Sequence, residues 1–345
     1  MPDPAPLSMQ SSSDCARGRT GPVIAIVGPT ASGKSALADA VAVRLRTRVI
    51  SADAMQVYKG MDVGTAKTPV DERLVPLELV DIVDPDEDYS AALFQRDARV
   101  CIEEDLARGC VPVLCGGTGL YVRAALDDMH FPKGQIDDSA RNRYQALAER
   151  LGPQGFHDVL AKRDPESASL IHPNNVRRTI RALEMLDDGT RYADQHAAFS
   201  HIRPYYEALY FGLKLDRKRL YERIDRRVDA MMQNGLLDEV RALASSGFTD
   251  ALTSRQAIGY KELLDYLSGS LTLEEAIKLI KLRSRRYAKR QISWFGRDDR
   301  IVWLDMDELD LDAAASFVLT KLEEHVALCS SSGPLVATVG EDAIG

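Results

Sequence analysis

Residues 28–35, Gly28-Pro29-Thr30-Ala31-Ser32-Gly33-Lys34-Ser35, fit the phosphate-loop pattern G-x-x-x-x-G-K-[ST]. The octapeptide follows an apolar, β-branched run ending at Gly28. It leads into a segment with Leu37, Val41 and Leu45 on one helical face. Such a loop needs a strand that ends at it and a helix whose N-terminus faces the same point. There the backbone N–H groups and the helix dipole converge on an anion. A parallel α/β sheet supplies that arrangement at the carboxyl ends of its strands. Lys34 adds a positive charge and the Ser35 hydroxyl can ligate Mg²⁺. All eight residues are therefore assigned to phosphate binding.

The pattern alone does not say which phosphate is held. A nucleotide hydrolase or kinase normally ends an apolar strand with an acid that serves the metal. The run "VPVLCGGTG" (Val111–Gly119) ends without one. The acid at a strand end near the loop is Asp53, in "RVISAD". It can serve as a metal ligand, or as a general base for a nucleophile attacking a substrate held by its diphosphate.

Further strands and helices alternate along the chain, so the fold class is α/β, a P-loop NTPase-like parallel sheet flanked by helices. Strands are predicted at Pro22–Gly28, Arg48–Asp53, within Val111–Gly119, at Leu209–Asp216 and at Arg300–Asp307. Helices are predicted from Gly33, over Tyr89–Arg108, from Leu120, and over Arg217–Ala244, Ser254–Leu267, Thr272–Arg290 and Leu309–Leu328. Between residues 136 and 204 the text is polar, helical and rich in Arg, with no buried strand, and reads as an inserted, mainly helical domain. The expected organisation is a disordered leader over 1–20, a catalytic core over 21–135 and 205–328, the insertion over 136–204, and a disordered tail over 329–345.

The net charge of −8 argues against bulk affinity for polyanions, so any nucleic-acid surface must be local. The five cysteines are odd in number and lack metal-ligand spacing, consistent with a reducing, cytoplasmic compartment. The six histidines are scattered and none is assigned a role. No apolar run has the length of a membrane span, and the N-terminus lacks an apolar core of the kind that secretion signals carry. Nothing suggests more than a monomer.

Seven segments in order carry a more specific signal: "GPTASGKSALA", "ISADAMQVYKGMDVGTAK", "YSAALFQRDA", "GGTGLYVRAAL", "NNVRRTIRALE", "RQAIGYKEL" and "YAKRQISWF". Over roughly residues 22–305 the chain resembles the tRNA dimethylallyltransferases, also called isopentenyl-tRNA transferases. The resemblance implies that the loop cradles dimethylallyl diphosphate with Mg²⁺. It also implies that the acceptor is the exocyclic amine of adenosine 37 in the anticodon stem-loop of tRNA, with diphosphate leaving. Lys34, Thr30 and Asp53 become the catalytic residues, with Asp53 as base. Thr30 and Ser35 contact phosphate or metal, and Asp53, Ala54, Met55, Gln56, Thr118 and Arg141 lie against tRNA. Many relatives have Asp-Ser where this chain has Asp53-Ala54. The C-terminus lacks the Cys/His zinc-finger spacing of eukaryotic relatives, as in bacterial members.

Two basic clusters are candidates for tRNA contact. Arg283, Arg286 and Arg290 fall on one helical face, with Lys289 on a neighbouring stripe and Trp294 beyond. Arg177, Arg178 and Arg181 form the second, for which ion pairing with Glu184 is the alternative. The rival functions are a small-molecule kinase using ATP and a prenyltransferase acting on free adenine nucleotides.

Overall fold

The computed structural model describes residues 21–131, 138–245 and 254–331. The first half of the core runs β1 (Val23–Val27), α1 (Lys34–Leu45), β2 (Val49–Ser51), β3 (Leu77–Glu78), α2 (Ala91–Ala107), β4 (Val113–Gly116) and α3 (Gly119–Leu126). Four helices follow: α4 (Asp138–Arg163), α5 (Pro165–Ser169), α6 (Val176–Asp187) and α7 (Tyr192–Ser200). The chain then returns with β5 (Ala208–Lys214), α8 (Arg217–Gln233), α9 (Leu236–Ser245), α10 (Tyr260–Leu267), α11 (Leu273–Phe295), β6 (Ile301–Asp305) and α12 (Leu311–Ser331).

The strands form one parallel sheet in the order β3-β2-β4-β1-β5-β6. β1 lies inside the sheet and every residue of it is buried, which is why it reads as an unbroken apolar run. Val27 pairs with Gly116 on one side and Gly212 on the other, and Ser51 pairs with Cys115. The carboxyl ends of β1, β2 and β4 therefore meet at one edge. Helices α1 and α12 cover one face. Leu37, Val41, Val318 and Leu322 close there over Ile24, Ile26, Phe211 and Leu213. Each such side chain contributes about 1.5–3 kcal/mol of transfer free energy.

The chain divides into two compact units, 1–126 with 206–345, and 127–205. The second has its own core of Tyr144, Phe156, Leu160, Ile180 and Leu183, among others. Its first helix, α4, bends at Gly152-Pro153.

Several predicted boundaries move. The single helix expected over Arg217–Ala244 is two, because Gly235 takes φ 92° between α8 and α9. The helix expected over Ser254–Leu267 is a short 3₁₀ turn at Ser254–Gln256 followed by α10. The helix expected to stop at Arg290 continues to Phe295, started by a capping box of Thr272 and Glu275. β3, two residues long, was not anticipated; it is too short for a periodic signal. α12 runs three residues past the predicted boundary, to Ser331. The leader expected over 1–20 and the tail beyond Ser331 lie outside the described residues. No helix among the described residues is long and apolar enough to cross a membrane.

Candidate active site

Between β1 and α1 the loop turns through Gly28 at φ 146°, Ala31 at φ 63° and Gly33 at φ 100°. Only glycine adopts the first and last of these without strain. α1 begins at Lys34 with no side-chain cap and no acid in its first turn. Its leading N–H groups and positive dipole end are thus not offset by the chain's own side chains. Inside the loop the Ser32 hydroxyl is buried without a hydrogen-bond partner, a demand that a phosphate oxygen can meet. Lys34 Nζ donates to the Pro29 carbonyl at 3.3 Å. Desolvation lowers the Lys34 pKa, while Cys115 and Asp53 act in the opposite sense. Burial in turn pushes the Cys115 thiol up to about 12, so it stays neutral beneath the loop.

Two arginines on α8 join this cradle. A Cβ placed on Gly33 would lie 3.7 Å from a terminal nitrogen of Arg223. Arg227 donates to the Thr65 carbonyl at 3.4 Å, and burial lowers its pKa against the pull of Asp53. Desolvation also lowers the Arg223 pKa, helped by Arg219 and Arg226. Neither forms an ion pair with a carboxylate among the described residues. With Lys34 they give the site three cations, which is what a multiply charged anion requires.

Beyond β2, the Met55 N–H donates to Asp53 Oδ1 at 2.9 Å. The Ala54 N–H donates to Thr118 Oγ1 at 3.1 Å, and the Thr118 N–H donates to the Ala52 carbonyl at 3.3 Å. Ser51 Oγ donates to Gln56 Oε1 at 2.9 Å, and Gln56 Nε2 donates to the Thr65 carbonyl at 3.3 Å. The carboxylate, the 53–56 turn and Thr118 thus form one hydrogen-bonded unit. Ala54 takes part through its backbone alone.

Gln291 joins that unit to the loop. Thr30 N–H donates to Gln291 Oε1 at 2.8 Å, and Gln291 Nε2 donates to the Gly117 carbonyl at 2.9 Å. The side chain is 4% exposed. Tyr287, one turn earlier on α11, belongs to the same cluster; burial first and then the Asp53 charge push its hydroxyl up to about 12, against the opposing influence of Thr118 and Gln291. Gln291, Tyr287, Arg223 and Arg227 were all missed from sequence. The i, i+4 spacings 223/227 and 287/291, each on a helix, were the signal available.

The predicted basic face of α11 divides in two. Arg283 bonds Glu262 at 2.5 Å, and that carboxylate is 1% exposed. Arg285 pairs with Asp225, Lys281 with Asp229 and Lys278 with Glu274. Arg286, Lys289 and Arg290 are exposed and have no carboxylate partner among the described residues. Arg290 instead stands over the Tyr287 ring at 5.5 Å. Lys289, Arg290, Ser293, Trp294 and Arg297 line a cleft of about 280 Å³. The Trp294 indole packs so closely on Gly119 that a Cβ there would meet it at 2.1 Å.

This division yields a contrast between two substitutions. Arg283→Ala should destabilise the fold by about 3 kcal/mol, because it strands a buried carboxylate. Arg286→Glu should leave the melting temperature unchanged and weaken nucleic-acid binding, with a salt slope shallower by about 1. Thermal melts and binding titrations at several salt concentrations check both, and a reversed pattern refutes the division.

In the second unit Arg141 donates to both oxygens of Glu184, at 3.1 and 3.5 Å, and Arg181 lies 3.7 Å from the same carboxylate. Ion pairing with Glu184, the alternative weighed from sequence, therefore occupies Arg181 and also Arg141. Arg177 and Arg178 are exposed, with no carboxylate partner among the described residues.

A family model described as IPP transferase matches residues 56–298, and one described as isopentenyl transferase matches residues 21–82. The chain belongs to the IPP transferase family. It is 45% identical over 301 residues to the tRNA dimethylallyltransferase of Carboxydothermus hydrogenoformans, covering 87% of this chain and 96% of that one. To the protein of the same name from Bacillus subtilis it is 46% identical over 309 residues, covering 89% and 98%. Among IPP transferases of known structure, the full-length tRNA isopentenylpyrophosphate transferase of Bacillus halodurans superposes with a TM-score of 0.67 at 44% identity, covering 90% of this chain and 99% of that one. A eukaryotic dimethylallyltransferase acting on tRNA superposes with a TM-score of 0.73 at 28% identity, covering 90% and 80%.

Proposed function

We propose that this IPP transferase moves a dimethylallyl group from dimethylallyl diphosphate to N6 of adenosine 37 in a tRNA, releasing diphosphate. The observation that carries this is the pairing of a phosphate loop with Asp53 at the end of β2, while β4 ends in Gly116-Gly117 without an acid. A kinase needs an acid to hold its metal beside the transferred phosphoryl group. A prenyl transfer needs an anion cradle and, beside it, an acceptor for the amine proton. Relatives named tRNA dimethylallyltransferase support the same chemistry.

In the transfer, the N6 lone pair forms a bond to the allylic carbon as the carbon–oxygen bond breaks. The bonding pair leaves on the diphosphate and the N6 proton passes to Asp53. Lys34, Arg223, Arg227 and the loop N–H groups face the charge that grows on the departing oxygen. An exocyclic aromatic amine is a poor nucleophile, so alignment by the braced 53–56 turn and Thr118 contributes more than proton removal. The donor set also fits Mg²⁺: Ser35, an exposed residue at the helix start, carries a hydroxyl next to the cradle. Bound through Ser35 and the diphosphate, the ion would neutralise leaving-group charge.

On the tRNA side, Arg286, Lys289, Arg290, Arg177 and Arg178 are the arginines and lysine of the two predicted clusters left available to phosphates. Arg283, Arg141 and Arg181 hold internal carboxylates. Trp294 offers an exposed ring on which an unstacked base can rest.

The test is a mass spectrum of nucleosides from unmodified tRNA incubated with the protein, Mg²⁺ and dimethylallyl diphosphate. A dimethylallyl increment on one adenosine is expected. ATP turnover without that increment would overturn the proposal.

A further inference from the structure

Far from this chemistry along the chain, three donor side chains converge where α12 passes the start of β5. His325 and Cys329 stand one turn apart on α12, and Glu207 lies just before β5. His325 Nε2 is 2.9 Å from Glu207 Oε1. Cys329 Sγ is 3.8 Å from Glu207 Oε1 and 3.8 Å from His325 Nε2. The three ligand atoms all fall within 4.8 Å of one another. They form a small triangle of sulfur, nitrogen and oxygen.

Zinc bonds of about 2.3 Å to sulfur and about 2.0–2.2 Å to nitrogen and oxygen set tetrahedral edges of roughly 3.3–3.6 Å. The observed edges of 2.9, 3.8 and 3.8 Å straddle that range, so small side-chain rotations suffice to close the triangle on an ion. We propose that Glu207, His325 and Cys329 form a Zn²⁺ site, with its fourth position open to solvent. The thiolate and imidazole select a borderline-soft ion over Mg²⁺ or Ca²⁺, which take oxygen donors. Two donors one turn apart on a helix are held in place by the helix itself. The third comes from the core: the Glu207 carbonyl accepts the Val23 N–H at 2.8 Å, which ties it to the start of the buried strand β1. An ion here would pin the last turns of α12 to the central sheet and close a loop between ligands 122 residues apart in sequence. Glu207 and Cys329 are exposed and His325 is half-buried, so an ion can enter directly.

The experiment uses the full chain, untagged, reduced and stripped of metal, titrated with Co²⁺ as a spectroscopic substitute. One equivalent should produce a thiolate-to-cobalt charge-transfer band that Zn²⁺ then removes, and Zn²⁺ should raise the melting temperature. Cys329→Ser and His325→Ala should abolish both effects. Zinc affinity should fall by more than the roughly 10–100-fold that outer-sphere partners contribute. Glu207→Gln should weaken binding by less. Absence of the band at one equivalent would overturn the proposal, leaving a Glu207–His325 ion pair alone. An unchanged band in Cys329→Ser would place the metal on another cysteine and overturn it equally. Prenyl transfer by Cys329→Ser should match the parent, so failure here and failure of the proposed transferase function are separate outcomes.

Discussion

Asp53→Asn should lower prenyl transfer by about 10²–10⁴-fold, the usual worth of a positioned general base, and leave tRNA affinity unchanged. Asparagine is the informative replacement because Asp53 Oδ1 also accepts the Met55 N–H. The amide oxygen keeps that bond, so the turn through Ala54 and Gln56 stays in place and only the proton acceptor is lost. Asp53→Ala removes both and should fall further, since the released turn also carries the Ala54 N–H bond to Thr118. Single-turnover rates with tRNA and diphosphate donor both saturating, beside tRNA affinities from filter binding, separate the contributions. A parallel loss of affinity and rate in Asp53→Asn would make Asp53 a tRNA-holding group rather than a base.

How far the site could be read from sequence followed the range of the contacts involved. The loop Gly28–Ser35 was legible because strand, turn and helix are contiguous and each residue's role is local. Asp53 was legible because it ends a run of buried strand residues. The arginine pair of the cradle was not. Arg223 and Arg227 come from a helix some 190 residues later, brought back because β5, which leads into it, pairs with β1. Their text, "YERIDRRVD", reads as an ordinary amphipathic surface helix. Gln291 was hidden for a related reason. The charge pattern stops at Arg290, the predicted end of the helix, whereas the helix continues to Phe295. Charge pattern also misled at Arg283, which shares a face with Arg286 and Arg290 by spacing but pairs with buried Glu262. Spacing shows which residues share a side of a helix; which of them meet a carboxylate depends on the neighbouring helix.

The second large effect is expected at Gln291, which touches no predicted substrate. Its Oε1 accepts the Thr30 N–H and its Nε2 donates to the Gly117 carbonyl. Gln291→Glu preserves shape and the first bond, but turns the second into an oxygen facing an oxygen. It also places a carboxylate at a 4% exposed position beside a site built to receive a diphosphate. Ionised, that group repels the substrate; taking up a proton removes the repulsion, and burial favours that neutral form. Diphosphate affinity should therefore fall by about 100-fold at neutral pH, corresponding to roughly 2.7 kcal/mol. Gln291→Leu serves as the uncharged control, leaving the Thr30 N–H and the Gly117 carbonyl unpaired for about 1–3 kcal/mol each. If charge is the main cause, Gln291→Glu should recover affinity as pH falls and the carboxylate takes up its proton. Gln291→Leu should stay flat across the same range. Calorimetric titration of dimethylallyl diphosphate at several pH values measures both. Equal, pH-independent losses in the two variants would show that the brace acts through the shape of the loop alone.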